Sequence, residues 1–262
     1  MGLTLVDTVQ EALETDRFGH PIRGFESVGS TNTRAAAWAE EGAAEGSVVV
    51  TEYQSEGRGR HGRTWDAPKG QNLMFSVVLR PSLSPDRFGL ITVAASVAVA
   101  EAVEAFVEPH RPTLKWPNDV LLEGRKTCGM LLESSLSGTD ETVVVLGVGL
   151  NVNQTAFPEA LADSATSLRL TTGRTVPRAP LFARLLHTLE RRYTAIQRGA
   201  DAAVRAAFEE RLTTRGEQTT LRFTGTDRTV TGTVQGITET GALRLDTPDG
   251  PRTLHAGEVT SQ

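Results

Sequence analysis

Residues 57–68 read GRGRHGRTWDAP, which could form a dinucleotide-binding turn, a basic nucleic-acid-binding patch or another kind of phosphate-binding loop. The first six letters satisfy G-x-G-x-x-G, which in a dinucleotide-binding fold stands between a strand and a helix. A β-rich run, SVVVTEYQ at 47–54, precedes the glycines. No long helix can begin after them, because Pro68 and Gly70 interrupt the chain before the apolar run at 72–81. The pattern therefore predicts a loop between strands, whose backbone N–H groups and arginines could hold an anion.

The segments around this loop alternate between helix and strand patterns. Helical spacing covers 3–15, 33–41, 86–107 and 178–212. Strand patterns cover 47–54, 72–81, 142–153 and a hairpin over 113–135 that turns at Glu123-Gly124. From Gly216 the chain is rich in Thr and Gly, with turn signals at Gly225, 239–241 and Asp249-Gly250. We therefore expect a first domain over 1–214 and a small β-barrel domain over 215–262.

Charge and composition argue against several classes of protein. The 262 residues carry a formal net charge of −5, whereas proteins that mainly hold nucleic acid usually present a strongly basic surface. The single cysteine, Cys128, excludes an internal disulfide and fits a reducing compartment. The N-terminus lacks a signal-peptide pattern, and the longest apolar run, 89–106, contains Glu101 and Glu104. We expect a core helix there, no membrane partner and a cytoplasmic protein.

Several short motifs flank the loop in a definite order. They are VGSTN at 28–32, EYQ at 52–54, KWPND at 115–119, RKTCG at 125–129 and GVGLN at 147–151. Together with GRGRHGRTW they resemble the biotin–protein ligases, over about residues 25–155. The resemblance implies an α+β fold: a central mixed β-sheet with flanking helices, of the biotin/lipoate ligase type, and a small C-terminal SH3-like β-barrel.

The resemblance also implies a reaction in two steps. Biotin's carboxylate attacks the α-phosphate of ATP to give biotinoyl-AMP and pyrophosphate. A lysine amine on a biotin carboxyl carrier protein then accepts the biotinoyl group, and AMP leaves. Because two anions meet in the first step, fixed positive charge and Mg²⁺ are expected at the site.

Residue roles carry over from the resemblance, motif by motif. The predicted catalytic residues are Lys126, Arg60 and Arg63. The predicted biotin-binding residues are Ser30, Thr31, Asn32, Gln54, Arg58, Gly59, Arg60, Lys126, Gly129, Gly147 and Gly149. The predicted ATP-binding residues are Arg60, Arg63, Trp65, Asn118 and Asn151, and Asp119 is the predicted Mg²⁺ ligand. Structural alternatives remain open: an N-cap role for Ser30 or Thr31, a core position for Trp65, and an exposed turn for Lys126.

The sequence also leads to expectations about binding partners and about alternative functions. The segment before Ser30 is too short for the winged helix-turn-helix of bifunctional members, so no DNA partner and no repressor activity are expected. The resemblance leaves a homodimer open. A lipoate–protein ligase-like acyltransferase and a non-catalytic nucleotide-binding protein are the alternatives. The arginine-rich loop with KWPND favours biotin, and the acidic net charge disfavours a protein that only binds nucleic acid.

Overall fold

The computed structural model describes residues 5–136, 142–223, 228–255 and 257–260. The helices are α1 Leu5–Ala12, α2 Thr31–Glu40, α3 Gly89–Val107, α4 Leu168–Thr172, α5 Arg178–Gln197 and α6 Asp201–Arg211. The strands are β1 Ile22–Phe25, β2 Val48–Thr51, β3 Leu73–Leu79, β4 Thr113–Lys115, β5 Asp119–Leu122, β6 Arg125–Leu136, β7 Thr142–Leu150, β8 Gln218–Arg222, β9 Thr229–Ile237, β10 Leu243–Thr247, β11 Gly250–Leu254 and β12 Glu258–Thr260.

The larger sheet has seven strands in the order β1-β2-β3-β7-β6-β5-β4. β1 and β2 are parallel, and α2 forms the crossover between them. The remaining neighbours pair antiparallel, so the predicted mixed sheet is confirmed. The central strands β3, β7 and β6 are the longest of the sheet, and they provide the surface on which the cavity described below is built.

The two faces of this sheet have different coverings. Along β7, Val144, Leu146 and Val148 belong to the main hydrophobic core, which includes α3 and α5. Because side chains alternate along a strand, Val143 and Val145 point the other way, where they pack beneath α2. α2 is short, however, and does not cover this whole face of the sheet. The face extends beyond the helix to Gly147 and Gly149 of β7.

The long apolar run forms a core helix, as the sequence predicts. The helical segment Pro85–Val107 has the length and composition of a membrane span, but most of it is buried within the protein. α3 packs against α5, α6 and the sheet, so apolar residues are needed almost all the way around it.

The second sheet has five strands in the order β11-β10-β9-β8-β12, paired antiparallel throughout. This agrees with the predicted SH3-like barrel. Hydrogen bonds connect it to the larger domain: among them, the Trp116 indole N–H donates to Gly241 O at 3.0 Å, and the Ile237 amide donates to the Glu209 carboxylate at 2.8 Å. The predicted turn at Gly225 lies outside the described residues.

Several elements differ from the sequence-based expectations. The strand β1 and the helix α4 were not predicted, because runs of four and five residues are too short to show a period. The expected helix over 178–212 is two helices, since Gly199 adopts φ 77° and ends the first one. Near the predicted boundary, α6 ends at Arg211 and β8 begins at Gln218.

Candidate active site

A cavity of about 910 Å³ lies next to the N-terminal end of α2, on the face of the large sheet that α2 covers. Its floor is the paired backbone of β6 and β7, where Gly129 stands opposite Gly149 and Leu131 stands opposite Gly147. Strand alternation places these residues on one face, while Cys128 and Val148 face the core on the other. Burial raises the pKa of the Cys128 thiol, which agrees with a packing role rather than a nucleophilic one.

The floor glycines make room for side chains that lie directly on them. A Cβ at Gly149 would stand 2.5 Å from the Trp65 ring, and a Cβ at Gly129 would stand 2.9 Å from Lys126 Nζ. A Cβ at Gly147 would collide with the Asn32 amide. Any larger residue at these positions would therefore displace a predicted ligand-binding side chain.

The glycine–arginine loop folds into a short hairpin above this floor. Trp65 N–H donates to Gly57 O at 2.8 Å, and Gly59 N–H donates to Arg63 O at 2.7 Å. The chain reverses at His61 and Gly62, which have φ angles of 59° and 73°. Glycine tolerates that left-handed geometry without steric cost, so the sequence favours the turn at this point. The loop is thus a defined covering element rather than an extended basic segment.

Neutral polar groups gather at one end of the cavity. The Gln54 side-chain carbonyl accepts hydrogen bonds from the Thr31 amide at 2.7 Å and from the Thr31 hydroxyl at 3.0 Å. Ser30 occupies the N-cap position of α2, yet within the described ranges its side chain makes no capping hydrogen bond. The capping alternative therefore does not explain the Ser30 hydroxyl, which lines the cavity.

Ser76 is a site-supporting residue that was missing from the predicted set. Its hydroxyl lies 2.8 Å from the Thr31 hydroxyl and 2.6 Å from Asn32 Oδ1. It stands on β3, whose seven residues are all buried. A polar residue inside an otherwise apolar strand, LMFSVVL, was the available signal, because buried hydroxyl groups need hydrogen-bond partners.

The Asn32 amide is committed to contacts within the protein. Both of its N–H groups are donated, one to Glu133 at 2.7 Å and one to Leu131 O at 3.3 Å. These bonds join the first turn of α2 to β6. They fix the amide against Gly147, and its oxygen also accepts a hydrogen bond from Ser76, so the predicted contact with biotin stays a prediction.

Arg58 points to a partner that the sequence does not suggest. Its guanidinium donates to both oxygens of Glu133 at 3.1 Å and to the Thr33 hydroxyl at 3.0 Å. Glu133 lies 75 residues away in the sequence, which gives no local signal for the pairing. The contact of Arg58 with the carboxylate side of biotin stays a prediction.

Lys126 reaches the cavity because of an irregularity in β6. Val120 pairs with Cys128, but Leu121 pairs with Lys126, so Thr127 is an extra residue on β6. Without this bulge, alternation would place Lys126 on the core face with Cys128. A β-bulge changes the direction in which neighbouring side chains point. Here it brings the Lys126 ammonium into the cavity.

Charged and polar groups surround the Lys126 ammonium. Its Nζ lies 2.7 Å from the Asp119 carboxylate and 5.7 Å from the centre of the Trp65 ring. Nearby, the Arg60 guanidinium donates to Asn118 Oδ1 at 3.2 Å, and the Asn118 amide donates to Met130 O at 2.8 Å. The KWPND motif therefore connects the hairpin loop to β6 through Asn118.

Trp65 is half-buried in the cavity, not in the core. Its ring lies over Gly149 and Gly129. The indole Nε1 is buried, and no residue in the described part of the chain accepts a hydrogen bond from it. The core alternative for Trp65 is therefore wrong, and a buried donor without an acceptor suits a site that receives a ligand.

The cavity has a further wall that the sequence analysis did not identify. Phe157, Pro158, Leu161 and Ala165 line it, and Leu161 is 47% exposed. Asn151 anchors this wall by donating to Thr166 O at 3.1 Å. The segment shows no helical or strand period, so no pattern pointed to it before the fold was known.

Metal-binding capacity at this site is limited. Within the described ranges, no cluster of three or more His, Cys, Asp or Glu side chains could hold a metal ion. Asp119 with the neighbouring Asn118 offers one carboxylate and one amide. Mg²⁺ commonly binds one or two protein carboxylates and completes its octahedron with phosphate oxygens and water. Asp119 also contacts the Lys126 ammonium, and Asn118 Oδ1 accepts from Arg60, so an Mg²⁺ here would share these oxygens and take most of its ligands from a nucleotide and water.

The predicted site residues all line this one cavity. They are Ser30, Thr31, Asn32, Gln54, Arg58, Gly59, Arg60, Arg63, Trp65, Asn118, Asp119, Lys126, Gly129, Gly147, Gly149 and Asn151. Thr31 and Gln54 lie at the N-terminal end of α2, where Arg58 also pairs with Glu133. Arg60 and Lys126 contact the KWPND motif. The individual roles of these residues stay predictions.

Comparisons with known proteins match both parts of the chain. Residues 24–151 match the model of the biotin/lipoate A/B protein ligase family, and residues 214–260 match that of the biotin protein ligase C-terminal domain. The biotin–[acetyl-CoA-carboxylase] ligase of Mycobacterium tuberculosis is 38% identical over 237 residues, which cover 88% of this chain and 85% of the relative. The bifunctional ligase/repressor BirA of Bacillus spizizenii is 31% identical, covering 96% of this chain and 77% of the relative.

A solved structure has the same fold along nearly the whole chain. The biotin protein ligase from Aquifex aeolicus in complex with biotin and ATP superposes with a TM-score of 0.79 at 28% sequence identity. The match covers 91% of this chain and 97% of the other.

Proposed function

The chain belongs to the biotin–protein ligases of the biotin/lipoate A/B protein ligase family, and from that premise we propose how its cavity performs the reaction. The enzyme is an ATP-dependent ligase with biotin and ATP as substrates. It forms biotinoyl-AMP and transfers the biotinoyl group to a lysine of a biotin carboxyl carrier protein. The observation that supports the proposal is the convergence of neutral hydrogen-bonding groups, cations and a half-buried tryptophan ring around one cavity.

The neutral end of the cavity receives the biotin rings. Ser30, Thr31 and Gln54 supply hydroxyl and amide groups, which can both donate to and accept from the ureido group. The Thr31–Gln54 contacts hold these groups in place before the ligand arrives. A preorganised neutral site favours a neutral ring system and places biotin's carboxylate toward the cations.

The cationic part of the cavity brings the two anions together. Lys126, Arg60 and Arg63 would hold the biotin carboxylate beside the α-phosphate of ATP. A carboxylate oxygen then bonds to the α-phosphorus while the bond to the pyrophosphate oxygen breaks. Fixed positive charges stabilise this step because the negative charge that develops needs no rearrangement of solvent.

The nucleotide takes the side of the cavity formed by Trp65, Asn118 and Asn151. The half-buried Trp65 ring offers a flat surface for the adenine base, and its unpartnered N–H offers a donor. Asp119 and Asn118 would hold the Mg²⁺ that accompanies ATP, and this ion would offset the charge of the phosphates. Gly129, Gly147 and Gly149 keep the floor low enough for these groups to fit.

In the second step an amine from the carrier domain enters the site. Its nitrogen attacks the carbonyl carbon of biotinoyl-AMP, the bond to the AMP oxygen breaks, and the amine loses a proton. Residues 1–214 form the catalytic domain in this proposal, and residues 215–262 contribute through the Trp116–Gly241 contact. We further propose a cytoplasmic enzyme without a DNA or membrane partner, for which a homodimer is compatible with the family.

The test is biotin-dependent exchange of pyrophosphate into ATP. We expect exchange with biotin and none with lipoate, since the neutral end of the cavity matches a ureido group. Labelling of a purified biotin carboxyl carrier domain should then require ATP. Exchange with lipoate alone would support the acyltransferase alternative, and no exchange with either acid would contradict the proposed function.

A further inference from the structure

Glu133, on β6, connects two parts of the site that are far apart in sequence. One of its oxygens accepts a hydrogen bond from the Asn32 amide at 2.7 Å, in the first turn of α2. Both oxygens lie 3.1 Å from Nη2 of Arg58, in the hairpin loop. A second nitrogen of Arg58 donates to the Thr33 hydroxyl, which also belongs to α2. The loop, the helix and the strand therefore meet at one carboxylate.

The charge of this carboxylate matters for the shape of the loop. Arg58, Arg60 and Arg63 stand within six residues of one another, and their like charges oppose a compact hairpin. Pairing Arg58 with Glu133 removes one of the three charges from this repulsion. It also fixes the start of the hairpin, just before the Gly59–Arg63 hydrogen bond that closes the turn.

We propose that Glu133 is a positioning residue for the covering loop. Its carboxylate holds Arg58 against α2, and this holds the Gly57–Trp65 hairpin over the cavity and slows the escape of bound biotinoyl-AMP. The inference rests on the proposed function, because it requires that the cavity hold an adenylate. Glu133 itself stays outside the chemical step.

Because the Arg58–Glu133 pair is exposed, its effect on the loop can be distinguished from an effect on folding stability. The side chains of Arg58 and Glu133 are 44% and 42% exposed. Ion pairs this exposed contribute little to the free energy of unfolding, about 0–1 kcal/mol. Removing the charge should therefore leave the melting temperature nearly unchanged. If the closed loop loses up to this much stabilisation, biotinoyl-AMP should be released up to about fivefold faster.

The experiment compares Glu133→Gln, Arg58→Gln and the double variant with the unmodified enzyme. The control is Glu210→Gln, which removes the charge from another exposed pair, Glu210–Arg111 at 2.6 Å, neither residue of which belongs to the loop, α2 or β6. The measurements are the dissociation rate of biotinoyl-AMP, the rate of pyrophosphate exchange at saturating biotin and ATP, and the melting temperature. Amide exchange over residues 57–66 in the adenylate complex reports on the loop directly.

We expect Glu133→Gln to release biotinoyl-AMP faster, by up to about fivefold, with faster amide exchange in the loop, while pyrophosphate exchange at saturating substrates changes less than twofold. The double variant should release it no faster than the more affected single variant, because the two residues act as one contact. Unchanged release in Glu133→Gln, additive effects of the two substitutions, or an equal effect of Glu210→Gln would each overturn the inference. If the unmodified enzyme forms no adenylate, the proposed function fails first and the inference fails with it.

Discussion

Different kinds of contact hold the floor of the cavity and the loop above it. The floor is continuous backbone of β6 and β7, held in register by a ladder of main-chain hydrogen bonds. The loop is a hairpin closed by main-chain hydrogen bonds and joined to the body by side chains, among them Arg58 to Glu133 and Arg60 to Asn118. The floor can therefore fix reacting groups accurately, whereas the loop can open at the loss of a few polar contacts.

This comparison predicts that substitutions in the floor affect substrate binding and bond formation, and that substitutions in the loop affect how long the intermediate is retained. The largest effect is expected for Lys126→Ala. The bulge at Thr127 turns this ammonium into the cavity, where we propose that it contacts the reacting anions. Removing one positioned donor of this kind typically lowers the rate by about 10²–10³. Pyrophosphate exchange measures the loss.

The melting temperature of Lys126→Ala should change little, because the side chain is partly exposed. Lys69→Ala removes another exposed ammonium, paired with Glu26, and is the matched control. If the Lys126 variant exchanged pyrophosphate at the normal rate, the catalytic role of this floor residue would be wrong.

Gly149→Ala should weaken the binding of the nucleotide. The new Cβ would stand 2.5 Å from the Trp65 ring, so the ring must move away from the floor. Overpacking of this kind costs about 1–3 kcal/mol, so we expect ATP to bind roughly tenfold more weakly. Equilibrium binding of ATP measures it. Combining Gly149→Ala with Trp65→Leu should give no loss beyond that of Trp65→Leu alone, and an additive loss would show that the ring is not the cause.

Arg60→Ala tests the loop side of the comparison. The substitution removes the hydrogen bond to Asn118 together with a positive charge over the site. A hydrogen bond to a charged group is worth about 1.5–3 kcal/mol, so biotinoyl-AMP should dissociate roughly tenfold faster or more. The measurement is the release rate from preformed adenylate complex. An unchanged rate would mean that Arg60 is not part of the cover.

Ligand binding should change the exchange of amide protons in the loop more than in the floor. We expect residues 57–68 to open without ligand and to gain severalfold protection with biotinoyl-AMP, since the anion offsets the repulsion among the arginines. The amides of β6 and β7 should be protected in both states. Equal protection of 57–68 with and without the adenylate would contradict a closing loop.

The smallest effect is expected for Cys128→Ala. The thiol is fully buried on the core side of the floor, and its raised pKa keeps it protonated. Its removal should cost about 1 kcal/mol of stability and leave the exchange rate unchanged. Thermal unfolding and the exchange assay measure the two quantities. A large loss of activity at normal stability would show that the two faces of the floor are not independent.

Much of the fold and the site could be predicted from the sequence. The apolar runs predicted β3, β7 and the core helix α3, and the ordered motifs predicted residues that all line one cavity. The small elements β1 and α4 could not be predicted, because four or five residues show no period. Ser76 could have been found as a polar residue in a buried strand, but Glu133 could not, because its partner Arg58 is 75 residues away.

By itself, the sequence determined the family, the chemistry of the loop and the glycines beneath it, because these depend on residue type and spacing along the chain. The tertiary structure alone decided which side chains meet. It placed Trp65 on Gly149, joined Arg58 to Glu133, and turned Lys126 into the cavity. Strand alternation would have put Lys126 beside Cys128, and the extra residue at Thr127 reverses that parity. The physical reason is that a bulge arises from how two strands pair, and pairing depends on the partner strand as well as on the strand itself.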